Sequence, residues 1–221
     1  MTLTLSAALR RQTAAAHLQV EDAFALPTRL SSRDSYAVLL QALREFYLPL
    51  EAALAGLSGW DQLTPRIDPA SRRRAAQLDD DLRDLGDLGD LGNLGNLSDL
   101  GTDVAGSGPT GQPALPRLRT LSDGLGCLYV LEGSALGGQI VARQARAALG
   151  SDLPVAFFAS AHRNQLGADW KALQRALDGH GQTHDPEDVI SAAEATFTAM
   201  GSWLDRCAQL AAAPLPALAN R

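Results

Sequence analysis

Apolar residues recur at every third or fourth position over most of this chain, and short polar turns separate the segments that carry this pattern. The spacing is typical of amphipathic helices. It predicts helices over about 6–25, 31–57 with a proline kink at 49, 121–149, 168–177 and 185–210. Ser6 is the predicted N-cap of the first helix, and Gly150 the residue that ends the third. Because no segment alternates as a half-buried strand does, the sequence predicts an all-α, single-domain helical bundle.

One segment, residues 79–116, departs from this pattern. It contains Asp-Leu-Gly and Asn-Leu-Gly units that repeat with period three, followed by a stretch rich in Gly, Ser, Thr and Pro. A glycine at every third position disfavours both helix and sheet. The segment is therefore predicted to be a flexible, low-complexity insertion or loop within the domain. The repeated aspartates leave calcium binding open as an alternative, although the nine-residue β-helix signature is missing.

Composition narrows the classes of function. The chain has 221 residues, of which 46% are hydrophobic, and its net charge of −6 disfavours binding to nucleic acid. The densest basic run, Arg72-Arg73-Arg74, is predicted to be a solvated helix face. The two cysteines, Cys127 and Cys207, form no metal or redox motif, and neither a signal peptide nor a membrane span is predicted. We therefore expect a cytoplasmic protein.

Three glycines interrupt the apolar stretch 128–141 in the middle of the helix predicted over 121–149. Each glycine in a helix interior costs about 1 kcal/mol relative to alanine, so some compensating interaction is expected. Gly133 and Gly137 are four residues apart and share a helix face, with Gly138 beside them. The segment matches neither the GxGxxG pattern nor a P-loop, which excludes those phosphate sites. Two explanations remain open: close packing between helices, or close approach of a flat ligand to bare backbone.

His17 is the candidate metal ligand in the first helix. Glu21 lies one turn later on the same face, where its carboxylate can hold the imidazole in one tautomer. The first helix offers no companion ligand, and the chain has no pair of Glu-x-x-His motifs for a di-iron site. A single histidine of this kind suits an axial position on haem better than zinc or non-haem iron.

Two segments together resemble the haem oxygenase family, in particular its bacterial, phytochrome-associated, biliverdin-producing branch. They are LRRQTAAAHLQVE at 9–21 and LEGSALGGQ at 131–139, which are similar to the family's two haem-contacting helices. The resemblance covers nearly the whole chain except the insertion. It implies a haem-oxygenase-like helical bundle in which His17 binds the haem iron and Glu21 is its hydrogen-bond partner.

The resemblance also implies the roles of further residues. Arg10, Lys171 and Arg175 correspond to basic residues that bind the haem propionates, and Phe197 to a pocket phenylalanine. The catalytic wall on the oxygen side is implied to consist of Gly133, Ser134, Gly137 and Gly138. Ser134 stands where animal members have an aspartate, so the proton donor on this side differs from theirs and is implied to be Ser134 with ordered water.

The implied reaction is oxidative opening of haem to biliverdin, carbon monoxide and ferrous iron, with haem as both substrate and cofactor. It uses O2 and electrons from an external donor such as a ferredoxin or a flavin reductase, because the sequence has no flavin or nicotinamide motif. The product is expected to serve either iron release or a biliverdin-accepting phytochrome. No nucleic acid or membrane is expected as a partner.

Other functions stay open at this point. A non-catalytic haem-binding or haem-delivery protein would use His17 and the basic residues without needing the glycines. A thiaminase-like helical enzyme would need Cys127 or Cys207 as its nucleophile, and a helical interaction module would use the acidic insertion. Three further histidines, His162, His180 and His184, could ligate a metal, but a solvated turn is the preferred explanation for the last two.

Overall fold

The computed structural model describes residues 3–87, 112–159 and 163–212. Most of these residues are helical, and no strand occurs among them, which confirms the predicted all-α fold. The α-helices are α1 (Leu5–Gln12), α2 (Ala14–Phe24), α3 (Leu26–Arg29), α4 (Arg33–Gly56), α5 (Ala75–Asp87), α6 (Leu121–Leu149), α7 (Ala156–Ala159), α8 (Arg163–His180) and α9 (Pro186–Ala212). Two 3-10 turns, Trp60–Gln62 and Ala70–Arg72, lie between α4 and α5.

The first predicted helix is in fact two helices, because Thr13 interrupts it. The Thr13 hydroxyl donates to the Leu9 carbonyl oxygen at 2.8 Å, and the Thr13 N–H donates to the same oxygen at 2.9 Å. A threonine that bonds back to the preceding turn tends to bend a helix. The N-cap also lies two residues earlier than predicted: the Thr4 hydroxyl, rather than that of Ser6, accepts the Ala7 N–H.

The core forms around α9, which packs against α2, α4 and α6. The buried apolar side chains make one connected cluster, in which Trp203 is the largest, and the Trp203 indole donates to the Ala42 carbonyl oxygen at 2.8 Å. Helices α7 and α8 pack on α6, and α5 packs on α4 and α7. Because α2 and α6 both pack against α9 and make few contacts with each other, a space is left between them.

Helix α6 has the bounds that the sequence predicts. Thr120 and Asp123 form a capping box at its start, and Gly150 ends it with φ of 117°. Among the described helices, α6 alone is long and apolar enough to cross a membrane. The sequence analysis predicted no such helix. Because 56% of the apolar window of α6 is buried inside the protein, its hydrophobicity is accounted for by the core.

The predicted insertion begins too early. Residues 79–87 belong to α5, whose Leu78 and Leu85 are fully buried. Asp81, also buried, accepts the N–H groups of Ala156 and Phe157 at 2.7 and 2.9 Å and so caps α7. The first Asp-Leu-Gly unit, residues 84–86, is therefore helical, because burial of apolar residues at helical spacing outweighs the helix-disfavouring glycine. Residues 88–111, with the remaining repeats and the calcium alternative, lie outside the described residues.

Gly126 provides a test of how closely α6 and α9 pack. A Cβ at this position would collide with the Val189 carbonyl oxygen and would lie 2.8 Å from the Ala193 nitrogen. We expect Gly126→Ala to lower the free energy of unfolding by about 1–3 kcal/mol, the usual cost of overpacking. Urea denaturation followed by circular dichroism measures this change.

Gly137→Ala is the matched control on the same helix. A Cβ at position 137 meets nothing within 4 Å, and alanine gains about 1 kcal/mol of helix propensity over glycine. We therefore expect this variant to be at least as stable as the parent protein. Equal loss of stability in the two variants would contradict the assignment of Gly126 to the helix contact.

Candidate functional site

A cleft of about 920 Å³ lies between α2 and α6, with α8 and α9 contributing to its walls. Pockets that bind small molecules usually have volumes of about 300–1,000 Å³. Eight of the ten predicted site residues line this cleft: Arg10, His17, Glu21, Gly133, Ser134, Gly137, Gly138 and Phe197. Residues that are more than 100 positions apart in the sequence are therefore brought to a single site.

His17 stands on the α2 wall, beside Glu21. Its Nδ1 lies 3.5 Å from the Glu21 Oε1, and its ring packs edge-on against Phe197 with centroids 5.8 Å apart. A carboxylate beside Nδ1 favours the tautomer that carries its proton there, which leaves the lone pair on Nε2. About half of the His17 side chain, 51%, is exposed. The imidazole is therefore oriented by its neighbours and accessible to a ligand in the cleft.

The opposite wall is bare backbone at two positions of α6. A Cβ built on Gly137 would meet nothing within 4 Å, and one built on Gly133 would meet only Trp170, at 3.7 Å. The space in front of Gly137 is therefore open, and at Gly133 Trp170 bounds the space without excluding a Cβ. Helix packing therefore does not require glycine at positions 133 and 137, and close approach of a ligand is the explanation that stays open.

Gly138 has a different reason to be glycine. A Cβ at this position would lie 2.5 Å from the Phe158 carbonyl oxygen and 3.3 Å from the Phe158 Cα. The missing side chain thus lets α7 pack against α6, although Gly138 also lines the cleft. Both explanations considered for the glycine segment apply, but to different residues.

Exposed apolar side chains surround the bare backbone. Leu18 of α2 and Leu136 and Ile140 of α6 are 61%, 42% and 53% exposed, and all three line the cleft. They are three of the five large hydrophobic residues that are exposed among those described. Clustered apolar exposure inside a concave site indicates a ligand with apolar faces.

Ser134 is a polar residue of the α6 wall, and its hydroxyl is already engaged. Its Oγ donates to the Leu131 carbonyl oxygen at 2.8 Å, so the Tyr47 hydroxyl, also at 2.8 Å, donates to it. Burial is the main cause that raises the pKa of Tyr47, which keeps this donor protonated. The predicted role of Ser134 as a proton source therefore depends on Tyr47, a buried residue of α4.

The arginine run at 72–74 is not a solvated helix face, as the sequence analysis predicted. Arg72 ends a 3-10 turn and forms a buried ion pair with Glu132, both side chains being 9% exposed. Arg74 lines the cleft, lies 4.3 Å above the Phe157 ring, and donates from Nη2 to the Phe157 carbonyl oxygen at 2.5 Å. Burial lowers the pKa of Arg74. Of the three arginines, Arg73 is the one whose side chain is exposed.

Two glutamates in apolar helix segments are the sequence feature that could have predicted the burial of these arginines. Glu51 and Glu132 stand among apolar residues in long helices, and a carboxylate in such a position needs a partner. Glu51 accepts the backbone N–H groups of Arg74 and Ala75 at 2.7 and 3.3 Å. Each buried acid thus binds the arginine run directly.

Two predicted residues do not line the cleft. Lys171 and Arg175 are exposed on α8, whereas their helix neighbours Trp170 and Gln174 face the cleft. Both side chains are therefore exposed to solvent outside the cleft lining, and their assignment to the carboxylates of a bound ligand stays a prediction.

The remaining histidines offer no complete metal site. His180 belongs to the last turn of α8, not to the predicted loop, and its Nε2 is 2.9 Å from the buried Ser122 Oγ. His184 stacks on it with ring centroids 4.0 Å apart. Within the described ranges, no group of three or more His, Cys, Asp and Glu residues could hold a metal. His162 lies outside the described residues.

Comparison with known proteins identifies the family of the chain. Residues 3–206 match the family model described as Heme oxygenase, which covers all eight cleft residues named above. No curated protein matches the chain significantly. The match spans nearly the whole chain, and the family is all-α, as this structure is. The chain therefore belongs to the haem oxygenase family.

Proposed function

We propose that this protein opens haem oxidatively to biliverdin, carbon monoxide and ferrous iron. The observation that carries the proposal is the pairing of His17 with bare α6 backbone at Gly133 and Gly137 in one cleft. A haem-delivery protein would need the histidine, but it has no use for open space over two costly helix glycines. An external donor such as a ferredoxin or a flavin reductase supplies the electrons.

The residues present fit haem as the substrate. His17 would bind the iron through Nε2, with Glu21 holding Nδ1. The exposed apolar residues Leu18, Leu136 and Ile140 would cover the flat faces of the ring. Arg10 lines the cleft and would pair with the propionates, together with the exposed Lys171 and Arg175 of α8.

Haem supplies its own reactivity, since its iron activates O2 and its meso carbon is the atom that is oxidised and leaves as carbon monoxide. The protein restricts where this occurs. Gly133 and Gly137 allow the ligand close to the α6 backbone and place no cationic side chain there. The Tyr47 hydroxyl donates to the Ser134 Oγ, whose remaining lone pair would hold a water that delivers protons at this wall.

The direct experiment is turnover of hemin under air. The purified protein is mixed with hemin and an excess of reductant, the visible spectrum is followed, and evolved carbon monoxide is trapped with a second haem protein. We expect loss of the Soret band, appearance of biliverdin absorption and about one carbon monoxide per haem by the stoichiometry of the proposal. Stable hemin binding without these products would instead support haem delivery.

His17→Ala should abolish axial binding by the protein. We expect loss of the five-coordinate histidine spectrum of the ferrous haem complex, and its partial recovery on addition of imidazole, because the space left by the ring can hold that base. His184→Ala is the control, since His184 is an exposed histidine of the loop before α9. An unchanged ferrous spectrum in His17→Ala would show that another residue holds the iron.

Gly137→Leu should slow ring opening without destabilising the fold. The open space at position 137 accepts a side chain, so we expect the melting temperature to stay near that of the parent protein. Ring opening should fall by roughly 100-fold, because misplacing a reacting group by about 1 Å can cost that much.

The control for this variant is Gly167→Leu. Gly167 is also an exposed glycine in a helix, with nothing within 4 Å of a built Cβ, and it does not line the cleft. It should retain full ring opening. Equal activities of the two leucine variants would contradict the role assigned to the bare wall.

The cysteine-based alternative makes a separate prediction. Burial raises the pKa of Cys127 to about 12 and that of Cys207 to about 12. At pH 8 only about one thiol in 10,000 is then ionised. We expect iodoacetamide to leave both cysteines unmodified in the folded protein and to modify both in urea, as measured by mass spectrometry. Rapid modification of one native cysteine would favour a thiol enzyme.

A further inference from the structure

Arg72 connects three elements at the edge of the cleft. It projects from the 3-10 turn that precedes α5, forms an ion pair with Glu132 of α6, and contacts Asp169 of α8. Its Nη1 donates to the Asp169 carbonyl oxygen at 3.4 Å, and its Nη2 lies 3.9 Å from the Asp169 Oδ1. One planar guanidinium therefore bridges α6 and α8, a geometry suited to arginine and not to lysine.

The charges explain why this bridge matters. Glu132 and Asp169 are both carboxylates, and the nearby Asp169 disfavours ionisation of Glu132, whose pKa is raised mainly by burial. The Glu132 Oε2 is buried with no hydrogen-bond partner among the described residues. Without the cation between them, two like charges would face each other across the α6–α8 contact.

The bridge is adjacent to the bare wall on both helices. Glu132 directly precedes Gly133, and Asp169 directly precedes Trp170. Trp170 is the group that a Cβ on Gly133 would meet, at 3.7 Å, and it packs against Tyr129 with ring centroids 5.3 Å apart. The position of α8 relative to α6 at this level therefore decides how much space remains above Gly133.

We propose that Arg72 is a positioning residue that holds Trp170 over Gly133 and so sets one edge of the cleft. Trp170 bounds the open space at Gly133 while Gly137, one turn later, stays open. Trp170 would therefore limit the space available to a ligand at Gly133 but not at Gly137. The structural half of this proposal concerns the ligand-free protein, and only the effect on ring opening rests on the proposed function.

The structural half is tested with the ligand-free protein labelled with 5-fluorotryptophan. The chain has three tryptophans, and Trp170→Phe assigns the 19F resonance of interest. We expect Arg72→Met to shift the Trp170 resonance and to leave those of Trp60 and Trp203 in place. Arg73→Met, which changes the exposed neighbour, should shift none of them.

Arg72→Met leaves a buried carboxylate unpaired and can impair folding, so the double variant Arg72→Met/Glu132→Leu decides the question. Replacing both partners of a buried ion pair by apolar residues is often neutral for stability, yet it still removes the guanidinium from Asp169. A shifted Trp170 resonance in the folded double variant is expected. A parental resonance there would overturn the proposal.

The functional half is measured with hemin in the same double variant. We expect the single-turnover rate of ring opening to fall roughly tenfold, since small displacements in a reactive site have effects of this order, while the dissociation constant for hemin changes little. A shifted resonance with a parental rate would overturn the functional half alone. Failure of the parent protein to open haem would overturn the proposed function and leave the 19F result to decide the positioning role.

Discussion

Close approach to the backbone of α6 is the constraint on which the rest of the structure depends. On the core side, Gly126 lets α9 come so near that a methyl group would collide with its backbone, and Gly138 does the same for α7. On the cleft side, Gly137 faces open space, and Gly133 faces space that Trp170 bounds. The helix is thus bare on two faces for two reasons, and its intrinsic instability is offset by the packing around it.

Behind the cleft, hydrogen bonds of buried polar groups fix the positions of the helices that form its walls. Glu51 fixes the start of α5 through the Arg74 and Ala75 N–H groups, and Arg74 in turn donates to the carbonyl oxygen of Phe157 in α7. The Phe157 ring packs edge-on against Tyr47 at 5.1 Å, and the Tyr47 hydroxyl reaches Ser134. Arg74 and Tyr47 thus bond to Phe157 and Ser134 of the cleft wall, which is held by hydrogen bonds as well as by apolar contacts.

Local signals account for what could be predicted from the sequence. The bounds of α6 follow from a capping box and a terminal glycine, and His17 with Glu21 is visible as an i, i+4 pair. The break at Thr13 depends on a hydrogen bond from its hydroxyl to the Leu9 carbonyl oxygen, which the sequence does not reveal. The burial of Arg72 depends on Glu132, a partner 60 positions away in the sequence. Likewise, periodicity places Gly133 and Gly137 on one face but cannot say what that face meets; only the tertiary structure separates them from Gly138.

The most direct test is a crystal structure of the protein with hemin. We expect hemin in the cleft between α2 and α6, its iron bound by the Nε2 of His17 and its other face against the backbone at Gly133 and Gly137. Glu21 should stay beside Nδ1, and the propionates should point to the side of Arg10, Lys171 and Arg175. Hemin bound elsewhere, or in the cleft with its iron held by a residue other than His17, would contradict the central claim that these two walls form one haem site.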